Sequence, residues 1–186
     1  MNKAECKSIL EYDEFPNYDI LYCDPPWEER MTKWFRTKMK KDVGDAPMFS
    51  FNDIIHHLGK LAYTHKPFYI EYDKNNYQKI IDIMVSHGHN FADITQFPLY
   101  SKSQQVIISF NTEIIPIKNM TTAKDSTIEM LKRHGNGLIV FDPFAGIGYT
   151  AKIINQSGNY YYGSELNPTR YRKLKMVIEQ IEHIKK

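Results

Sequence analysis

Two apolar runs that each end in Asp-Pro constrain this chain more than anything else in it. The later run, Leu138-Ile139-Val140-Phe141, leads into Asp142-Pro143-Phe144-Ala145-Gly146-Ile147-Gly148-Tyr149-Thr150-Ala151. A short apolar run bounded by turn residues reads as a buried strand. Gly146, Gly148 and Ala151 then match a strand–turn–helix fingerprint. The glycines permit a tight turn and close approach of a ligand to the backbone, and the small third residue lets helix and strand pack. The helix runs to about residue 156, Gly158 ends it, and residues 160–163 read as the next strand. Glu165 falls at that strand's tip, near the spacing of about 20 residues at which an acid bonds the hydroxyls of an adenosine ribose. A lone glycine fingerprint is an ordinary strand-to-helix turn; with the acid in place it points to a nucleoside ligand.

The earlier run, Tyr18-Asp19-Ile20-Leu21-Tyr22-Cys23, closes on Asp24-Pro25-Pro26-Trp27. Taken alone, these four residues read equally as a proline-rich turn after a strand. Their other reading is chemical. An exocyclic amine on a base is a poor nucleophile because its lone pair is delocalised into the ring. A carboxylate and a backbone carbonyl accepting its N–H bonds stabilise the positive charge that develops on attack. Pro25 and Pro26 fix φ and so set the direction of the neighbouring carbonyls. Trp27 offers a face on which a base taken out of its stack can rest.

The two motifs, with Gly163-Ser164-Glu165-Leu166-Asn167-Pro168, resemble the amino-methyltransferases of DNA, the S-adenosylmethionine-dependent enzymes that methylate adenine N6 or cytosine N4. The catalytic motif precedes the cofactor motif, as in the permuted beta order of that family, and the resemblance spans about residues 5–181. It implies a Rossmann-like methyltransferase fold and catalytic roles for Asp24, Pro25, Pro26 and Trp27. It implies S-adenosyl-L-methionine bound by Cys23, Asp24, Asp142, Pro143, Phe144, Gly146, Gly148, Thr150, Glu165, Leu166 and Asn167. Asp at the first catalytic position and Trp at the fourth fit adenine better than cytosine, where Ser commonly opens the motif; Trp stands where Tyr is more usual. A Lys-Pro segment of the family, which holds the methionine end of the cofactor, corresponds to Thr122-Ala123-Lys124-Asp125-Ser126, with Asp125 in place of Pro. Lys124 and Ser126 are its candidate ligands. Ser126 and Glu129 spell a capping box for a helix running to about His134, whose N-terminus suits a carboxylate; a plain N-cap explains Ser126 equally well.

The rest of the chain reads as alternating elements. Residues 51–63 carry Ile54, Ile55, Leu58, Leu61 and Ala62 at helical spacing; residues 67–72 read as a strand, 76–86 as a helix, and 168–184 as a final helix. Two strands near 94–99 and 106–110 are spaced for a hairpin. The expected fold class is α/β, a mostly parallel twisted sheet with helices on both faces and an antiparallel hairpin. Both Asp24 and Asp142 then lie at strand carboxyl ends, where ligands of such sheets bind. At 186 residues the chain is expected to be one domain, 1–186. Only about residues 111–121 separate the hairpin from the cofactor half, too few for a target-recognition domain. Low or very short sequence specificity follows, or specificity borrowed from a partner or a second copy.

Net charge is only +2, so a basic footprint for nucleic acid must be local. Arg30, Lys33, Arg36, Lys38, Lys40 and Lys41, interleaved with Trp34 and Phe35, supply one directly after the catalytic turn. Such a segment reads either as a solvated helix or loop, or as a phosphate-contacting cover over the base pocket; the second is favoured by its position. DNA, single- or double-stranded, is the expected partner, with RNA, a free nucleotide, or a non-catalytic partner subunit as alternatives. No run suits a membrane span or a signal peptide. Cys6 and Cys23 form no disulfide framework, so a reducing compartment is expected; a compact enzyme of the kind the resemblance implies suits the cytoplasm of a bacterial or phage-infected cell. His87-Gly88-His89 lacks companion ligands, and no metal is expected.

Overall fold

The structure is a computed structural model that describes residues 2–26, 50–98, 104–118, 120 and 122–184. Its sheet holds β1 (Lys3–Glu5), β2 (Ile20–Cys23), β3 (Phe68–Asp73), β4 (Phe91–Pro98), β5 (Gln104–Phe110), β6 (Ile139–Asp142) and β7 (Tyr160–Ser164). The helices are α1 (Phe51–Leu61), α2 (Tyr77–Ser86), α3 (Ala123–His134), α4 (Tyr149–Gln156) and α5 (Pro168–Ile184). Strand order across the sheet is β1-β7-β6-β2-β3-β5-β4. The first five run parallel; β5 lies antiparallel to β3 and to β4, the expected hairpin.

Strand alternation divides the core in two. Leu21, Cys23, Phe68, Ile70, Ile108 and Phe141 face α1 and α2, which contribute Ile55, Leu58, Ile80 and Met84. Ile20, Tyr22, Tyr69, Ile107 and Val140 face the other way, onto Met130 and Leu131 of α3, Ala151 and Ile154 of α4, and Leu174 of α5. A strand buried on both faces cannot alternate apolar with polar residues, and β2 accordingly reads Ile-Leu-Tyr-Cys, every residue buried.

Three local outcomes differ from the sequence reading. β1 was not anticipated. It is three residues long with Lys3 and Glu5 at its ends, and it exists through pairing with β7, Ala4 opposite Gly163. β4 begins at Phe91, with its register shifting between Phe91 and Asp93. Helix α3 starts at Ala123 rather than near Ser126. Thr122 caps it, accepting from Asp125 N–H at 3.1 Å. The pattern Thr-x-x-Asp precedes Ser-x-x-Glu by one turn, and the earlier cap adds a turn of helix and buries Ser126. The Ser126 hydroxyl donates to the Ile117 carbonyl at 3.0 Å instead of capping.

Candidate active site

Strands β6 and β2 are adjacent and parallel, with Leu21 opposite Phe141 and Asp19 N–H bonded to the Ile139 carbonyl at 2.8 Å. The Asp142 turn and Asp24 therefore leave the sheet side by side, at the same edge. From β6 the chain steps outward to β7, and from β2 it steps the opposite way to β3. The order of strands reverses between them, the place beyond the carboxyl ends where sheets of this kind bind ligands.

The glycine turn is built as a cradle. Gly146 and Gly148 have φ of 57° and 93°, in the left-handed region that favours glycine. A Cβ on Gly146 would lie 2.9 Å from Arg170 Nη2, and one on Gly148 3.1 Å from Leu174 Cδ1 and from Val177 Cβ. The turn thus lies flat against α5, and α4 begins from it with Tyr149. Ile147, Tyr149 and Leu166 are exposed apolar side chains at this edge.

Asp142 is held within the turn by protein partners. It is buried, accepts from Phe144 N–H at 2.9 Å, and is approached by the Tyr161 hydroxyl at 3.4 Å. Burial pushes its carboxyl up to about 7, against the opposing bonds from Phe144, Thr150 and Tyr161. Its work is to hold the turn. Tyr161 reaches it by lying along β7 over Gly163, where a Cβ would meet the phenol oxygen at 2.2 Å.

Glu165 follows β7 and is only 7% exposed. Its Oε1 accepts from Asn167 N–H at 2.8 Å. Burial raises its proton affinity, while the bonds from Asn167 and Gly146 N–H and the Arg170 guanidinium act the other way. Asn167 Oδ1 in turn accepts from Thr169 and Arg170 N–H, both at 2.9 Å, which caps α5 ahead of Pro168. Asn167 Nδ2 is buried with no acceptor among the described residues.

Beyond the end of β2, Asp24 is exposed, Pro25 buried and Pro26 half-buried, and the last residue of the strand, Cys23, is buried. Lys124 lies half-buried in the first turn of α3. That helix is tied to β2 by the Tyr22 hydroxyl, 3.2 Å from Thr127 Oγ1. The sequence-derived cofactor residues after β6 and β7 thus gather at one sheet edge with Asp24, Pro25 and Pro26. Trp27, Arg30, Lys33, Trp34, Arg36, Lys38, Lys40 and Lys41 lie outside the described residues.

Tyr22, Glu71, Arg170 and Tyr161 were not singled out from the sequence. Glu71 carried a signal: it is the one acid inside the apolar run of β3, and an acid there needs a partner. The Tyr22 hydroxyl supplies it, donating to Oε2 at 2.8 Å.

No family model matches the chain, and no curated protein does. Solved structures match in fold. M1.HpyAVI superposes with a TM-score of 0.65 at 16% identity, covering 96% of this chain and 99% of that one. TTHA0409 of Thermus thermophilus, solved with S-adenosyl-L-methionine, gives 0.60 at 12% identity over 97% and 96%. PvuII DNA methyltransferase (cytosine-N4-specific) gives 0.57 at 11% identity over 97% and 90%. The fold is the Rossmann-like methyltransferase fold, as the motifs implied.

Proposed function

We propose that the chain is an S-adenosylmethionine-dependent methyltransferase acting on an exocyclic base amine of DNA, with adenine N6 as the target. The observation that carries this reading is the emergence of Asp24-Pro25-Pro26 and the Gly146 turn from adjacent parallel strands at the point where strand order reverses. M1.HpyAVI has also been solved as a SAM complex, at 15% identity to this chain.

The residues present fit the cofactor. The glycine cradle leaves no room for side chains, a buried acid stands at the tip of β7, and Asn167 Nδ2 is a buried donor without an acceptor among the described residues. Glu165 suits the ribose hydroxyls, Leu166 and Ile147 the adenine, and Lys124 at the N-terminus of α3 the carboxylate. When bound, S-adenosylmethionine supplies a methyl group made electrophilic by its sulfonium. Asp24 and the carbonyls of the proline turn accept the N–H bonds of the target amine and hold its lone pair toward that methyl. Trp27 is assigned the stacking surface.

The connection after β5 is short, which supports low or short sequence specificity, or specificity supplied by a second copy or a partner. A methylation map with a long, strictly defined site for the protein alone overturns this part. Cytosine N4 is the second reading, favoured by the likeness to PvuII DNA methyltransferase. Digesting methylated DNA and RNA products to nucleosides decides base and polymer together. N6-methyladenine from DNA is the expected product, and N4-methylcytosine selects the second reading. Methyl transfer to neither polymer refutes both. Such an enzyme works in the cytoplasm, beside its DNA.

A further inference from the structure

Glu71 stands at the reacting end of this site, and nothing in the reading above uses it. In the pairing of β2 with β3, Tyr22 is opposite Tyr69 and Cys23 opposite Ile70. Continuing that register makes Asp24 and Glu71 the next pair. Alternation then sends Tyr22, Asp24, Tyr69 and Glu71 to one face of the sheet, the face covered by α3. Glu71 is half-buried, and its neighbour on the other side, Ile107 of β5, is apolar and buried.

Two hydroxyl groups form a line behind its carboxyl. The Tyr22 hydroxyl lies 2.8 Å from Glu71 Oε2 and 3.2 Å from Thr127 Oγ1, and the Thr127 hydroxyl donates to the Ala123 carbonyl at 2.8 Å. This line is satisfied in both protonation states of the acid. With Glu71 ionised, Tyr22 donates to it. With Glu71 protonated, its O–H donates to Tyr22, whose own proton turns to Thr127 Oγ1, while Thr127 still donates to Ala123. No heavy atom has to move. A buried carboxylate that is merely structural needs only the first arrangement.

We propose that Glu71 accepts the proton that the target amine loses on methylation. The proposal rests on the amino-methyltransferase reading and adds a catalytic group to that site. The amine nitrogen uses its lone pair to form the N–C bond as the C–S bond of the donor breaks, its electron pair staying on sulfur as a neutral thioether. One N–H bond then breaks, its electrons remain on nitrogen, and the proton passes to a Glu71 carboxylate oxygen and on to water. Asp24 keeps the second N–H bond, so the two acids divide the work of orientation and proton removal. Burial raises the Glu71 carboxyl above the usual carboxylate range, against the Tyr22 bond, which suits a proton acceptor. The ionisable groups on the Glu71 face among the described residues are Tyr22 and, one alternation further along, Asp24; the buried Cys23 thiol lies on the opposite face of β2.

The test is single-turnover transfer from labelled S-adenosylmethionine to unmethylated mixed-sequence DNA, between about pH 5.5 and 9, with donor affinity measured by calorimetry. Glu71→Gln is expected to lower the rate on the order of a hundredfold and to abolish the acidic limb of the pH profile, with donor affinity unchanged. Glu71→Asp is expected to restore part of the rate and the limb. A Glu71→Gln enzyme with the wild-type rate and profile overturns the proposal. A lost rate matched by lost donor affinity also overturns it, because Glu71 then binds the donor's ammonium. If Glu71→Gln does not fold, Tyr22→Phe carries the test: it keeps the carboxylate and removes the relay, and an unchanged pH limb rejects the proposal. A wild-type protein that methylates no nucleic acid rejects the underlying reading itself.

Discussion

Asp24 is the residue on which the proposed chemistry turns, and it is exposed at a strand tip rather than buried in the core. Its removal should therefore spare the fold. Asp24→Ala is expected to reduce turnover on the order of a hundredfold or more while leaving the thermal midpoint and donor affinity near wild type; methylation at the wild-type rate refutes its role. Gly163 behaves oppositely. It contacts no proposed ligand, yet a methyl group there would collide with the buried ring of Tyr161, at 2.5 Å from Cε1 and Cζ. Gly163→Ala is expected to cost about 1–3 kcal/mol in urea unfolding, because Tyr161 must leave both its packing and Asp142. A neutral result shows that the ring can be placed elsewhere. Asp24 and Gly163 were both visible in the sequence, one as the opening of a motif and the other as the last residue of a strand. Only the structure separates an exposed strand-tip acid from a glycine that makes room for a neighbour.

The elements that build the site are short and end in backbone devices. The Gly146–Gly148 turn was legible because the glycine pair follows an apolar run and an acid, Glu165, stands at the next strand tip. Its support was not legible, since Arg170, Leu174 and Val177 lie on a helix that begins about 20 residues later. Gly148 combines a φ of 93° with contacts at 3.1 Å to Leu174 and Val177. Gly148→Ala is expected to destabilise the protein by about 1–3 kcal/mol and to weaken donor binding in proportion to the displaced turn, checked by unfolding and calorimetry on one preparation. Helix α3 shows how a local signal misleads. Two Ser/Thr-x-x-Asp/Glu patterns follow one another a turn apart, each an adequate cap, and burial of Ser126 against the Ile117 carbonyl selects the first. β1 had no signal at all, because three residues framed by charges become a strand only when an edge is waiting for them.

At the scale of the molecule, chain ends and charges are arranged around the same sheet. Asn2 accepts from Tyr161 N–H at 2.8 Å and donates through Nδ2 to Glu182 at 2.7 Å, so the first strand and the last helix close over β7 together. Asp142, Glu71 and Glu165 all have carboxyls raised by burial. A raised value in the folded state means that the native protein holds protons the unfolded chain has released, so stability falls as pH rises. For Asp142 this loss accumulates between the ordinary 3.8 and about 7, then stays constant. Asp142→Asn keeps an acceptor for Phe144 and removes the charge. Its stability relative to wild type, by urea denaturation without ligand, should therefore grow as pH rises across that window. A constant difference would show that Asp142 is not held protonated. No helix among the described residues is long and apolar enough to cross a membrane.

Composition, periodicity and two Asp-Pro motifs were enough to set the fold class, the hairpin and the two strand tips to which the proposal assigns chemistry. These are local facts, since a strand, a proline turn and a glycine turn are each specified by neighbours in sequence. The pairing of β2 with β3 and the burial of Asp142 beside Tyr161 depend on strand order and register. So does the pressure of α5 on the glycine turn. Those are decided by which buried faces pack together across long stretches of chain, and no short-range pattern encodes them.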